Sequence, residues 1–109
     1  MTERPTLLTE AERVEALARL MGWHVTGDGS AIAKSFVFGT FSEAFGWMTR
    51  VALAAERQGH HPDWRNSHRT VEVALSTHDA GGLTRLDIAL AEAMDRLASP
   101  VSYGAGAPR

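Results

Sequence analysis

HPDWRNSHRTVEVALST, His61 to Thr77, decides the fold. Within it Val71, Val73, Leu75 and Thr77 alternate with Thr70, Glu72, Ala74 and Ser76. A period of two sends the side chains of a strand to opposite faces. The run therefore predicts a strand with the first set facing inwards. Asn66-Ser67-His68-Arg69 ahead of it is turn chemistry, and a partner strand begins over His61 to Trp64. The stretch is a β-hairpin.

Immediately upstream, TFSEAFGWMTRVALAAERQG (Thr40–Gly59) predicts a helix, capped by Thr40 or Ser42 and ended by Gly59. Phe45, Met48, Ala52 and Ala55 form one stripe, with Trp47, Val51 and Ala54 beside it. A stripe for one sheet needs about 100° of arc, and this helix is apolar over more than that. So small a domain can hardly bury a helix all round. The surplus reads either as a deeply buried core helix or, the preferred expectation, as packing on a partner subunit with Trp47, Val51 or Ala54 between subunits.

Further out, WHVTGDGSAIAKSFVF (Trp23–Phe38) predicts another hairpin about Gly27-Asp28-Gly29-Ser30, with Ile32, Lys34, Phe36 and Phe38 on one face. Thr9 and Glu12 read as a capping box. The helix they open carries Val14, Leu17, Ala18 and Met21 as its apolar stripe and closes at Gly22. Downstream, His78 to Leu83 is a loop, and Thr84 with Asp87 caps a last helix striped by Leu86, Leu90, Met94 and Leu97. Ser99–Arg109, rich in Pro, Gly and Ala, reads as a flexible tail. The order α-β-β-α-β-β-α predicts an α+β fold, a four-stranded antiparallel sheet with three helices packed on one face. A single domain over residues 1–109 is expected, with its ordered core at about 9–98.

A net charge of -2 and a single lysine argue against broad phosphate binding, so no direct nucleic-acid partner is expected. There is no cysteine, hence no disulfide, no thiolate nucleophile and no cysteine-zinc site. MTERPTLLTEAER is acidic and lacks an apolar run, and no stretch approaches the ~20 apolar residues of a membrane span. A cytoplasmic protein without a membrane partner is the expectation.

The chain has five histidines, and two of them, His60 and His61, are adjacent. A turn near Ser67–Arg69 brings both opposite Leu75 to His78. His60, His61 and His78 therefore gather at one end of the hairpin, close to Glu56 at the end of the preceding helix. Pro62 biases His61 towards extended geometry, and Gly59 frees the chain before the pair, so both rings can border one cleft. At a strand end, changes to these residues should spare the fold. Lone histidines at strand ends are most often surface polar residues, but three converging beside a glutamate point to chemistry. Three imidazoles with Asp63 or Glu56 would suit zinc, although no HExxH or comparable spacing is present. No serine sits on a recognisable nucleophile elbow. Acid–base work without a covalent intermediate suits side chains that titrate near neutrality.

AERQGHHPDW (Ala55–Trp64) followed by LSTHDAGGLTRLD (Leu75–Asp87) resembles the signature of the pterin-4a-carbinolamine dehydratases. Trp23 and FVFGTF (Phe36–Phe41) match the same pattern, and the resemblance spans Thr9 to Leu97. It implies dehydration of 4a-hydroxytetrahydrobiopterin to quinonoid dihydropterin, recycling the pterin of an aromatic amino acid hydroxylase, with no metal or cofactor. By the same resemblance His60 and His78 are the acid/base pair and His61 orients the pterin. Glu56 would hold a histidine or a ring N–H. Trp23 reads as core packing, and Asp87 as helix capping or loop bracing. The resemblance also implies a homodimer through the sheets or a homotetramer through the helices.

Gly59, His68 and Leu86 stand where some members have aspartate, tyrosine and arginine, departures that bear on affinity more than on reaction type. The same fold also serves non-catalytic interaction proteins, as a transcription-factor dimerisation partner or an enzyme assembly factor. Retention of Glu56, His60, His61 and His78 favours catalysis.

Overall fold

The computed structural model describes residues 5–99. In chain order it contains α1 (Glu10–Arg19), β1 (His24–Val25), β2 (Ile32–Val37), α2 (Phe41–Gln58), β3 (Asp63–Ser67), β4 (Thr70–Leu75) and α3 (Arg85–Ala98). A short 3-10 turn, His78–Ala80, precedes α3. Beyond Ser99, the expected flexible tail lies outside the described residues.

The second hairpin forms as its alternation demands. Asp63 pairs with Ala74 and Ser67 with Thr70. His68 and Arg69 are left as a two-residue turn, where His68 takes a φ of 55°. The other edge of β4 pairs antiparallel with β2, Ile32 opposite Leu75 and Phe36 opposite Val71. The sheet order is β1-β2-β4-β3. β3 starts two residues later than the sequence suggests, because Pro62 has no N–H to give a ladder. β1 is only two residues long, and Trp23 enters the core just before it. In the turn that follows, Asp28 accepts from the Ser30 backbone N–H, the Ser30 hydroxyl and Thr26. Those bonds, the Ser30 backbone first, hold its carboxyl below the usual range.

Ile32, Phe36, Val71, Val73 and Leu75 point to the same side of the sheet and share one core with residues of all three helices. Each fully buried aliphatic side chain of this kind contributes about 1.5–3 kcal/mol. On the opposite face Ser35, Val37 and Glu72 are exposed. The expected two-layer α+β architecture is the one formed. Lys34 stands among the inward residues, as its alternation requires. It is tolerated because its ammonium donates to Asp95 at 2.8 Å and to the Met21 carbonyl at 2.9 Å.

Two helix faces differ from expectation. In α1 the buried residues are Ala16 and, at its end, Leu20, whereas Val14, Ala18 and Met21 are exposed. Apolar residues occupy two neighbouring stripes of this ten-residue helix, and periodicity cannot tell which one meets the sheet. In α2, Trp47, Val51 and Ala54 are buried within the chain's own core, not left for a partner subunit. Trp47 packs on Phe36 and Phe38 and donates its Nε1–H to the Met94 carbonyl at 3.1 Å. The surplus apolar face of α2 is instead the one carrying Phe41, Phe45 and Leu53, all exposed. In α3, Leu90 and Met94 are core residues as expected, while Leu86 and Leu97 are half-buried and Ala91 joins the core.

Candidate active site

Gly59 ends α2 in the left-handed conformation, φ 67°, which a residue with a Cβ adopts less readily. Its N–H returns to the carbonyls of Ala55 and Glu56, and the His60 N–H also bonds to Ala55 at 3.1 Å. This tight reversal turns His60 inwards and leaves His61 outside. The His60 ring is buried, with Nε2 2.6 Å from Asp87 Oδ1. The His61 ring is exposed, with Nε2 3.2 Å from Glu56 Oε1.

Asp87 comes from the first turn of α3. Its second oxygen, Oδ2, accepts the Thr84 N–H at 2.9 Å and the Thr77 hydroxyl at 2.8 Å. The hydroxyls of Thr77 and Thr84 lie 2.7 Å apart. Asp87, Thr77, Thr84 and His60 are all buried, and among the described residues no buried side-chain polar atom lacks a partner. An unpartnered one would cost about 1–3 kcal/mol. Thr77 is the last inward position after β4. His78, one residue on, faces outwards, with Nε2 3.8 Å from Asp63 Oδ2.

His60, His61 and His78 line one cleft of about 810 Å³, together with Ser76, Thr77 and Leu86. The three imidazoles expected to gather do share a cavity wall. Glu56 does not line it and touches the cleft only through His61. Asp87 caps α3 as the sequence suggests. Glu56 holds a histidine as expected, but that histidine is the exposed His61, and the buried His60 is backed by Asp87, for which only a capping or bracing role is expected from the sequence. A signal was available: Thr77 ends the inward-facing set of its strand, and Asp87 is the acidic member of a capping box that starts seven residues later. Both had to be buried at the same end of the sheet. Among the described residues no three of His, Asp and Glu gather into a set that could hold a metal ion. A buried imidazole backed by a carboxylate, facing a cleft with two exposed imidazoles, is an arrangement suited to general acid–base chemistry.

The sequence profile of a family described as Pterin 4 alpha carbinolamine dehydratase matches residues 6–97. A protein of Bradyrhizobium sp. strain BTAi1, provisionally named a pterin-4-alpha-carbinolamine dehydratase, is 55% identical over 94% of this chain and 100% of its own. A relative from Rhodopseudomonas palustris strain HaA2 with the same provisional name is 58% identical over 90% of this chain and 94% of its own. A crystal structure described as a transcriptional coactivator/pterin dehydratase from Brucella melitensis superposes with a TM-score of 0.84 at 46% identity, over 86% of this chain and 100% of that one. A pterin dehydratase-like protein, a RuBisCO assembly factor in the alpha-carboxysome, is similar in fold alone. Its TM-score is 0.62 at 23% identity, over 73% of this chain and 93% of its own.

Proposed function

The chain belongs to the pterin 4 alpha carbinolamine dehydratase family of hydro-lyases, and we propose that it dehydrates 4a-hydroxytetrahydrobiopterin to quinonoid dihydropterin and water. The observation that carries this reading is the set of three imidazoles on one cleft, one buried against a carboxylate and two exposed. In the reaction the C4a–O bond breaks, the departing hydroxyl takes up a proton, and N5 loses one as C4a=N5 forms. The step is redox-neutral and its atoms balance with no cofactor.

His60 and His78 act as the acid/base pair in this reading. They reach the same cleft from different elements, the reversal after α2 and the turn after β4. His61, steadied by Glu56, orients the ring. The product is the oxidised pterin that an aromatic amino acid hydroxylase needs restored, so such a hydroxylase supplies the substrate. We place the protein in the cytoplasm, where that chemistry operates. No helix among the described residues is long and apolar enough to cross a membrane.

A second reading, an interaction module on the same fold, is favoured by the exposed Phe41, Phe45 and Leu53 on α2. Three large apolar side chains along one helix are poorly suited to permanent contact with water. Self-association into a homodimer or homotetramer covers them without excluding catalysis. The deciding experiment follows the decay of 4a-hydroxytetrahydrobiopterin with and without the protein. Acceleration that disappears in the double variant His60→Ala/His78→Ala is the expected result. Decay at the uncatalysed rate would leave the interaction module as the better reading.

A further inference from the structure

His60 meets the interior through Nε2 and lines the cleft, so Nδ1 is the ring nitrogen left to exchange a proton with a bound molecule. Which way that exchange runs depends on the tautomer. The hydrogen bonds around Asp87 determine it.

A backbone N–H can only donate, so Oδ2 of Asp87 must accept from Thr84. The Thr77 hydroxyl, directed at the same oxygen, donates its one proton there. Thr84 must then donate its own hydroxyl proton to Thr77, while its oxygen accepts the Leu86 N–H at 3.2 Å. The chain of donors runs one way, Thr84 to Thr77 to Asp87, and leaves no room for a proton on Oδ2. The remaining oxygen, Oδ1, faces His60 Nε2 at 2.6 Å.

We infer that Asp87, aimed by Thr77 and Thr84, is a positioning residue that holds the His60 ring in the Nε2–H tautomer and so makes Nδ1 its working atom. This rests on the dehydratase reading for its consequence, although not for its geometry. With one proton in the pair, that proton lies between Oδ1 and Nε2, and Nδ1 is bare and accepts the N5 proton. With two, Nδ1–H donates to the departing hydroxyl. One buried dyad thereby serves as base or acid without turning its ring. Asp87 touches no substrate and acts only through His60.

The same network predicts what an amide does in its place. In Asp87→Asn the carbonyl oxygen must stay at the Oδ2 position, because the Thr84 N–H cannot reverse. The NH₂ group then faces His60, so Nε2 must accept and the ring proton moves to Nδ1. A carboxylate-to-amide change that inverts a histidine tautomer costs on the order of 10⁴-fold in kcat in a serine-protease triad.

The test is ¹⁵N spectroscopy of histidine-labelled protein at a pH where the His60 ring is neutral, alongside kcat and KM. The expected result is Nε2–H in the wild type and Nδ1–H in Asp87→Asn, with kcat falling ~10²–10⁴-fold and KM little changed. Thr77→Val, which removes the proton donated to Oδ2, should lower kcat and loosen the tautomer preference, and Thr77→Ser, which restores that donor, should recover the Nε2–H tautomer. An Nδ1–H tautomer in the wild type would overturn the inference, even if Asp87→Asn fails to fold. So would unchanged turnover in a folded Asp87→Asn. Because the tautomer is read without substrate, a wild type that shows Nε2–H but performs no dehydration removes the dehydratase reading and leaves the tautomer assignment standing.

Discussion

His60 and His61 are neighbours in the chain with opposite surroundings: the side chain of one is 9% exposed and that of the other 68%. A strand would impose such alternation by its pleat. Here the left-handed Gly59 and the missing N–H of Pro62 impose it in a connection between helix and strand. The two rings therefore answer differently to the same substitution.

His60→Ala and His78→Ala should each lower kcat, by the ~10²–10⁴-fold typical of a lost acid or base. If each ring serves one stereoisomer of the 4a-alcohol, the single losses are partly masked and the double variant costs much more. Turnover measured on the separate stereoisomers checks this. Equal, small effects in all three variants would contradict it.

The fold does not tolerate the two changes equally. His60→Ala removes the donor facing Oδ1 of the buried Asp87 carboxylate, and losing a hydrogen bond to a charged group costs about 1.5–3 kcal/mol. His78→Ala removes only a long, exposed contact of 3.8 Å to Asp63 and should be neutral within ~0.5 kcal/mol. Thermal denaturation of the two variants reads the difference. We therefore expect the fold to be spared by changes at the exposed His78 and His61, and to be weakened by a change at the buried His60.

His61→Ala should raise KM with a smaller fall in kcat, as when a shared binding contact is lost. Glu56→Ala should do the same more weakly, because an exposed pair such as His61–Glu56 is worth about 0–1 kcal/mol. Steady-state kinetics on both variants and their combination checks this. A combined effect equal to the larger single one would show that Glu56 acts through His61.

Assembly and folding should separate on α2. Phe45→Asp or Leu53→Asp, on the exposed face, should weaken self-association and leave the monomer folded. Val51→Asp should unfold the chain instead, since Val51 is fully buried within it and a lone buried charge is costly. Sedimentation with circular dichroism distinguishes the two. A wild type that is monomeric at micromolar concentration would remove the basis for the first expectation.

Asp95 joins the sheet to α3 by accepting from Trp23 Nε1 at 3.0 Å and from Lys34 Nζ at 2.8 Å. Asp95→Ala should cost about 1–3 kcal/mol, because it leaves a half-buried indole N–H and an ammonium without their acceptor. Urea denaturation measures it. A change below ~0.5 kcal/mol would show that water replaces the carboxylate.

Alternation along Thr70–Thr77 and the capping residues Thr9, Thr40 and Thr84 settle strand, helix starts and fold class from the sequence alone, since each is a local steric or hydrogen-bond requirement. The gathering of His60, His61 and His78 was equally legible, because hairpin register follows from a short turn. The core-facing stripes of α1 and α2 were not. Where two adjacent stripes are both apolar, only the sheet beneath decides which is covered, as Trp47 and Val51 do against Phe41, Phe45 and Leu53. The partner of His60 was legible only as a placement: Thr77 and the Asp87 capping box fall at one end of the sheet, but no local pattern pairs that carboxylate with His60. Asp87 lies twenty-seven residues away, and its local duty as a capping carboxylate hides the second bond. A local sequence pattern reports one role per residue. Packing brings distant residues together, and only packing gave one carboxylate oxygen to the helix end and the other to the imidazole.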